Sequence, residues 1–429
     1  VSAEHRQPSV FIVAENAGRS RAGEVARPLH YFLGLRKRGL DAHLLCHERN
    51  KEQFEIDFPE HRDAMHFVPD TLLQRCCDKL SQRLPEKLSQ VTTSALSWLL
   101  TQRAQRRWLC MRLREPGPAI VHQTPPISPR LPSMIYKIKA PVIIGPLNGD
   151  MNYPKEFSRR EKSSLLGLEK LMRLLARPIN RIFRGKLDAN VLLYSNERTR
   201  AVLPEGYRGE AQPLVANAVD PEFWSARPKP STNACIRFVS LGRLVRFKAI
   251  DLLLQAFAKV RAQRPAELEI IGSGCERKHL EQLCAQLGIT QHVRFTGWLT
   301  EEDCRERLSQ SDVFVFPSLR EAGGAAVLEA MSMELPVIVT NWGGPAEYVS
   351  PEAGIRLDVA PRDEFLTGLT TAMLRLAESA ELRREMGQCG RRRILKHYDW
   401  AQRLDRLEEI YANVSADWQE ALARRGATA

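Results

Sequence analysis

No apolar run in the 429-residue chain approaches the ~20 residues that a bilayer-crossing helix needs, so no spanning helix is expected. The opening VSAEHRQPSVFIVAEN lacks the basic-then-apolar order of a secretory signal. A cytoplasmic location is therefore expected, peripheral on the inner membrane face at most. The nine cysteines (46, 76, 77, 110, 235, 275, 284, 304 and 389) show no C-x-x-C pair and no regular spacing. This argues against a disulfide framework or a zinc cluster and leaves reduced thiols, partly in the core. C2H2 spacing, RNP aromatics and heptad zippers are missing, so no nucleic-acid partner is indicated. No G-x-G-x-x-G opens the first βαβ unit, which argues against a dinucleotide oxidoreductase.

The length exceeds one ordinary core, and two domains are expected. Residues 1–214 hold 35 Lys+Arg against 22 Asp+Glu, a net +13; the remainder holds 28 against 29, a net −1. The basic first half suggests an anionic partner. Short β-branched runs alternate with helical stretches throughout: PSVFIVAE, DAHLLCHE, AIVHQT, PVIIGP and DANVLLYS, then IRFVSLGR, ELEIIGSG, VRFTG, DVFVFP and PVIVTN. That is the pattern of parallel α/β domains. Long helical regions are predicted at about 79–115 and 155–186, and a final one from Trp400. Segment 155–186 holds ten Lys/Arg against three Asp/Glu, with Leu165, Leu166, Leu168, Leu171, Leu174 and Leu175 mostly on one face. It reads either as a core-packed helix with a solvated basic face or as an in-plane helix on an anionic membrane surface. Residues 204–233 carry linker composition and mark the hinge.

Two strand–glycine–helix units stand out in the second half. In SLGRLVRFKAIDLLLQAF a strand ends at Gly242, a turn carries Arg243, and Lys248 opens a helix. Two cations, backbone N–H groups and a helix N-terminus at one spot suit a phosphate. In IIGSGCERKHL, Gly272 and Gly274 permit close backbone approach. Further on, FPSLREAGGAAVLEAMSMELPVIVTNWGGPAEYV places Glu321 in a loop, then Gly323 and Gly324, then a helix from Ala325 that carries Glu329. Carboxylates suit polyols because each accepts two hydroxyl hydrogen bonds. The plainer reading makes Glu321 a capping acid and Glu329 an ordinary helical glutamate.

These segments resemble the retaining glycosyltransferases of family four, whose E-x7-E motif matches Glu321 and Glu329. The resemblance covers about 215–400 and extends more loosely to the first half. It implies the GT-B fold: two Rossmann-like, doubly wound domains facing across a cleft. The expected organisation is an acceptor domain at 1–214, a nucleotide-sugar donor domain at 215–398, and a helix at 399–429 that crosses back. It implies that Arg243 and Lys248 hold the donor diphosphate, Glu321 the transferred sugar and Glu329 the ribose. It places Gly297 against the nucleobase, with Gly242 and Gly272 lining the donor site. Gly323, Gly324 and Ala325 sit at the helix N-terminus facing the phosphates. On the acceptor side the opening loop AENAGRSRAGEVA, with Asn16 and Gly23, lacks a clean Gly-Gly. His122, in Val121-His122-Gln123-Thr124, stands where many members have V-H-x-H, and reads as an acceptor-side group or a core histidine. Two further departures are Ala249 after Lys248, and Met333-Glu334 before Pro336, where the family has glycine.

The expected reaction moves a sugar from a UDP- or GDP-linked donor to a glycan or lipid-linked acceptor, with retention. No cofactor or metal is expected; no D-x-D motif is present. The alternatives are an epimerase on the same fold and a catalytically silent binding subunit.

Overall fold

The structure, a computed structural model, describes residues 7–18, 23–81, 93–115, 117–125, 128–149, 151–160, 175–225 and 234–426. The chain divides into two compact units. The first holds residues up to 150, 169–216 and 403–429; the second holds 151–168 and 217–402. The division at Ala216 and Asn217 falls two residues beyond the expected boundary. Residues 151–160 were expected in the first domain and pack in the second instead, where Phe157 is 3% exposed and stacks edge-on against Phe365.

The first unit is built on seven parallel strands: β1 (Ser9–Val13), β2 (Ala42–His47), β3 (Met65–Val68), β4 (Ala119–Gln123), β5 (Val142–Leu147), β6 (Val191–Tyr194) and β7 (Glu210–Pro213), in the order β3-β2-β1-β4-β5-β6-β7. Helix α1 (Gly23–Lys37) follows β1, and α2 (Thr93–Arg112) precedes β4. The strands read as almost continuous apolar runs because both faces are covered; every residue of β5 is buried. The predicted helix at 79–115 is two helices, Leu72–Ser81 and α2, flanking residues outside the description.

The second unit repeats the plan with six strands: β8 (Ile236–Leu241), β9 (Ala266–Ile271), β10 (Val293–Gly297), β11 (Val313–Phe316), β12 (Val337–Thr340) and β13 (Gly354–Leu357), ordered β10-β9-β8-β11-β12-β13. Its helices include α3 (Ile250–Arg261), α4 (Ala325–Ser332) and α5 (Gly344–Tyr348). Helix α3 buries Leu252, Leu253, Ala256, Phe257 and Val260, one face at helical spacing. Fully burying a side chain such as Phe257 contributes ~2–3 kcal/mol. Both sheets are doubly wound, with the order reversing between β1 and β4 and between β8 and β11.

The last helix, α6 (Trp400–Gly426), contributes its residues from 403 onward to the first unit. There Arg38 pairs with Asp405 and Glu408 at 2.7 Å each.

The stretch predicted as one helix over 155–186 is not uniform where it is described. Lys155–Arg160 is a 3-10 helix, residues 175–182 are helical, and Gly185–Asp188 forms a separate turn. The leucines at 165, 166, 168, 171 and 174 lie outside the described residues. Among the described residues, no helix is long and apolar enough to cross a membrane.

Candidate functional site

Ligands of open parallel sheets lie beyond the carboxyl ends of strands where the order reverses. In the second unit that place is the end of β8 beside β11. Strand β8 runs out at Gly242, and β11 at Phe316 and Pro317. Gly242, Arg243, Lys248, Phe316 and Pro317 line one small hollow. Arg243 is exposed at its edge.

Lys248 closes the 3-10 turn Arg246–Lys248. Its ammonium pairs with the Glu321 carboxylate, and the two side chains are only 13% and 17% exposed. The Nζ atom also sits 4.4 Å from the centre of the Phe316 ring, within cation–π range. The turn is anchored to the segment after β11: Leu319 N–H donates to the Phe247 carbonyl at 2.8 Å, and Ser318 Oγ at 3.3 Å.

Three glycines bring the strand ends together. A Cβ on Gly272 would stand 2.0 Å from the Gly242 carbonyl oxygen, which no side chain tolerates. Gly272 N–H donates to the Gly297 carbonyl at 2.8 Å, where β10 ends on a positive φ of 77°. The same tightness holds at Gly274, whose Cβ would be 2.3 Å from Leu244 O.

The Glu321 loop is clamped from the β12 side. Gly344 N–H donates to the Glu321 carbonyl at 2.9 Å, and a Cβ on Gly343 would lie 2.2 Å from that oxygen. Gly323 packs on Asn217, leaving 2.6 Å between a would-be Cβ and Nδ2. Gly324, at φ 88°, is the N-cap residue of α4, so the amides from Ala325 onward point out of the helix start. Glu329 is half-buried on the second turn of that helix.

The structure thus brings Arg243, Lys248 and Gly242 into one hollow, Lys248 onto Glu321, and Gly272 against Gly242 and Gly297. Residues to which the sequence assigned no site role also build the site: Phe316 under the ammonium, Asn217 beside Gly323, and Gly343 and Gly344 behind Glu321. The GGPAE segment was the visible signal for the last two; its role as a backbone clamp was not.

His122 is a correction. It is fully buried in the first unit, with both ring nitrogens engaged. Nε2 faces the Gly145 carbonyl at 2.9 Å, which can only accept, so Nε2 carries the proton. Nδ1 then accepts from the Tyr411 hydroxyl at 2.7 Å. Burial pushes its pKa down to about 4, despite the Gly145 carbonyl, which favours the charged form. It is a core residue that ties β4 to α6, with no surface for an acceptor. In the same unit, Asn16 is exposed beyond β1 and Gly23 opens α1; residues 19–22 between them lie outside the description.

Residues 226–393 match the model of a family described as Glycosyl transferases group 1. An MMP α-(1→4)-mannosyltransferase of Mycolicibacterium hassiacum is 28% identical over 211 residues, 49% of this chain and 49% of that protein. A GDP-mannose-dependent monoacylated α-(1-6)-phosphatidylinositol monomannoside mannosyltransferase of Corynebacterium glutamicum is 32% identical over 176 residues, 39% of this chain and 45% of that one. The matches thus span about half the length of these curated relatives. Among solved structures, sucrose-phosphate synthase of Thermosynechococcus elongatus superposes with a TM-score of 0.63 at 17% identity, covering 96% of this chain and all of that one. The architecture is the two-domain α/β fold of the GT-B glycosyltransferases, and residues 226–393 of the second unit carry the likeness to the glycosyl transferases group 1 family.

Proposed function

We propose that the chain is a glycosyltransferase that moves a sugar from a nucleotide-sugar donor to a glycan or lipid-linked acceptor, in cell-surface polysaccharide or glycolipid synthesis. The observation that carries this reading is the Lys248–Glu321 contact at the β8/β11 switch point, with Arg243 on the same hollow. The two cations neutralise charge growing on a departing nucleoside diphosphate, and Glu321 accepts hydrogen bonds from sugar hydroxyls. The amides at the start of α4 add a third source of positive potential. The C1–O bond to the diphosphate breaks, a C1–O bond to the acceptor forms on the same face, and the acceptor proton passes to a phosphate oxygen. This retaining course asks for no metal and no separate base. The donor carries UDP or GDP, and the GDP-mannose-dependent relative favours GDP. The enzyme would work in the cytoplasm, docked on the anionic inner membrane surface through 155–186.

A thermal-shift panel of UDP-, GDP- and ADP-sugars tests the donor site. A ligand at 100 times its Kd stabilises by about 2.7 kcal/mol. Lys248→Met should remove the shift. A panel in which no nucleotide sugar raises Tm, or in which Lys248→Met changes nothing, would end this reading. Turnover of donor without acceptor would indicate an epimerase, and binding without any turnover a silent subunit. NMR of the product anomer tests retention. Flotation with anionic and neutral liposomes tests docking.

A further inference from the structure

A larger hollow lies in the first unit and takes no part in the site above. It holds about 280 Å³ between residues 175–182 and residues 201–205, and Pro129 and Arg130 close one side. Arg130, Arg177 and Arg181 line it, against one carboxylate, Glu205, which pairs with Arg177. Three positive charges against one negative leave a net +2. Arg177 and Arg181 are four apart on a helix and share a face.

Asn180 supplies the rigidity. It is 4% exposed and lines the hollow. Its Nδ2 donates to the Arg130 carbonyl at 3.0 Å and to the Ala176 carbonyl at 2.8 Å, so one side chain fastens the two arginine-bearing segments together. Its Oδ1 is buried and has no hydrogen-bond partner among the described residues. Leu187, Val202, Leu203 and Pro204 form apolar walls, and low-dielectric walls strengthen the field of the cations.

We propose that this hollow is a second anion site, for a phosphate or diphosphate group, separate from the donor diphosphate site. Guanidinium forks bind phosphate oxygens in pairs, and a net +2 matches a doubly charged phosphate. Glu205 sets the threshold: an incoming phosphate must take Arg177 from it. The phosphate is carried either by a soluble molecule or by a lipid headgroup, and the chemistry of recognition is the same.

The test uses the full chain with the donor cations removed, Arg243→Gln/Lys248→Gln, so that pyrophosphate reports the second site alone. Calorimetric titration with sodium pyrophosphate should show binding in this variant. Adding Arg177→Gln/Arg181→Gln should weaken it by at least about tenfold, the loss of roughly one charge-assisted hydrogen bond. Both arginines are exposed, and circular dichroism checks that the fold is kept. Arg177→Gln/Arg181→Gln in the otherwise native chain should leave the nucleotide-sugar thermal shift unchanged, which separates this proposal from the donor reading. Phosphatidylcholine vesicles with and without phosphatidic acid identify the source. Co-sedimentation lost with the two arginines assigns the site to lipid phosphate; co-sedimentation unaffected, with pyrophosphate binding lost, assigns it to a soluble phosphate. Pyrophosphate binding that is absent without the donor cations, or that survives loss of both arginines, overturns the proposal.

Discussion

Helix α4 ends in a Schellman arrangement. Leu335 N–H donates to the Ala330 carbonyl at 3.0 Å, and Glu334 N–H to the Met331 carbonyl at 3.1 Å. That geometry puts Glu334 at the position where a left-handed backbone is required, and its φ is 59°. Glycine is the usual occupant because a Cβ there meets the following carbonyl. The backbone cannot relax away, because a Cβ on Gly387 would already lie 1.9 Å from Glu334 O. Glu334→Gly should recover about 1 kcal/mol of steric strain, net of the extra freedom glycine gives the unfolded chain. The loss of a 4.0 Å contact to Arg391, whose partner Glu334 is 41% exposed, subtracts at most about 0.5 kcal/mol. The net gain, about 0.5–1 kcal/mol, should raise the melting temperature of the second unit by about 2 °C in scanning calorimetry. Ala249 has the same problem, at φ 52°, but its methyl is fully buried. Losing that burial costs about 0.8 kcal/mol, so Ala249→Gly should come out near zero. Glu334→Ala keeps the Cβ and should gain nothing. A gain from Glu334→Ala equal to that from Glu334→Gly would refute the backbone argument and leave charge as the cause.

Glu321→Gln keeps the shape of the loop but loses the carboxylate; sugar transfer should fall by roughly 10²–10³-fold with the melting temperature little changed, measured as kcat with saturating donor. Gly272→Ala should lose about 10²-fold in kcat/KM, because clearing the Gly242 carbonyl moves the strand ends by about 1 Å. Gly288→Ala, also at positive φ (67°) but with nothing within 4 Å of its Cβ, should cost stability alone; equal activity losses in the two would show that the contact does not matter. His122 binds its proton with a pKa of about 4 when folded, below the ordinary 6.5, so the unfolded chain takes up the proton first as pH falls. The stability tied to neutral His122 is complete above pH 6.5 and drains away towards pH 4, by about 3 kcal/mol. Urea unfolding across that window should therefore fall less steeply in His122→Gln than in the native chain.

Much of the fold is legible along the chain because parallel α/β units are written locally. A buried strand is a short apolar run, and its helix carries one apolar face. The residues of the proposed donor site stand out for the same reason: Gly242, Arg243 and Lys248 lie within seven positions, and Glu321, Gly323 and Gly324 within four. What escaped depends on distant partners. Nothing around His122 announces that Tyr411, 289 residues on, closes over it. Nothing near Glu321 announces that Gly344 holds its carbonyl. The missing glycines at 249 and 334 were visible as substitutions, but the left-handed backbone that makes them matter was not. The leucine stripe of 155–186 suggested one long helix, and its described flanks are three separate pieces.

Lys248 and Glu321 owe their pairing to backbone that is fixed before any side chain is considered. The Lys248 turn is fastened to the exit of β11 through the Phe247 carbonyl, and the Glu321 loop is fastened to the exit of β12 through Gly344. Neither anchor uses the charged side chains themselves. An anion reaching the hollow can therefore draw the ammonium away from the carboxylate by side-chain rotation alone, with the strand ends left in place. Because both side chains are already mostly out of water, the exchange gives a desolvated lysine a new partner rather than stripping a solvated one. The glycines are the condition for this: Gly272, Gly343 and Gly344 let three strand ends approach closely enough to hold both turns at once.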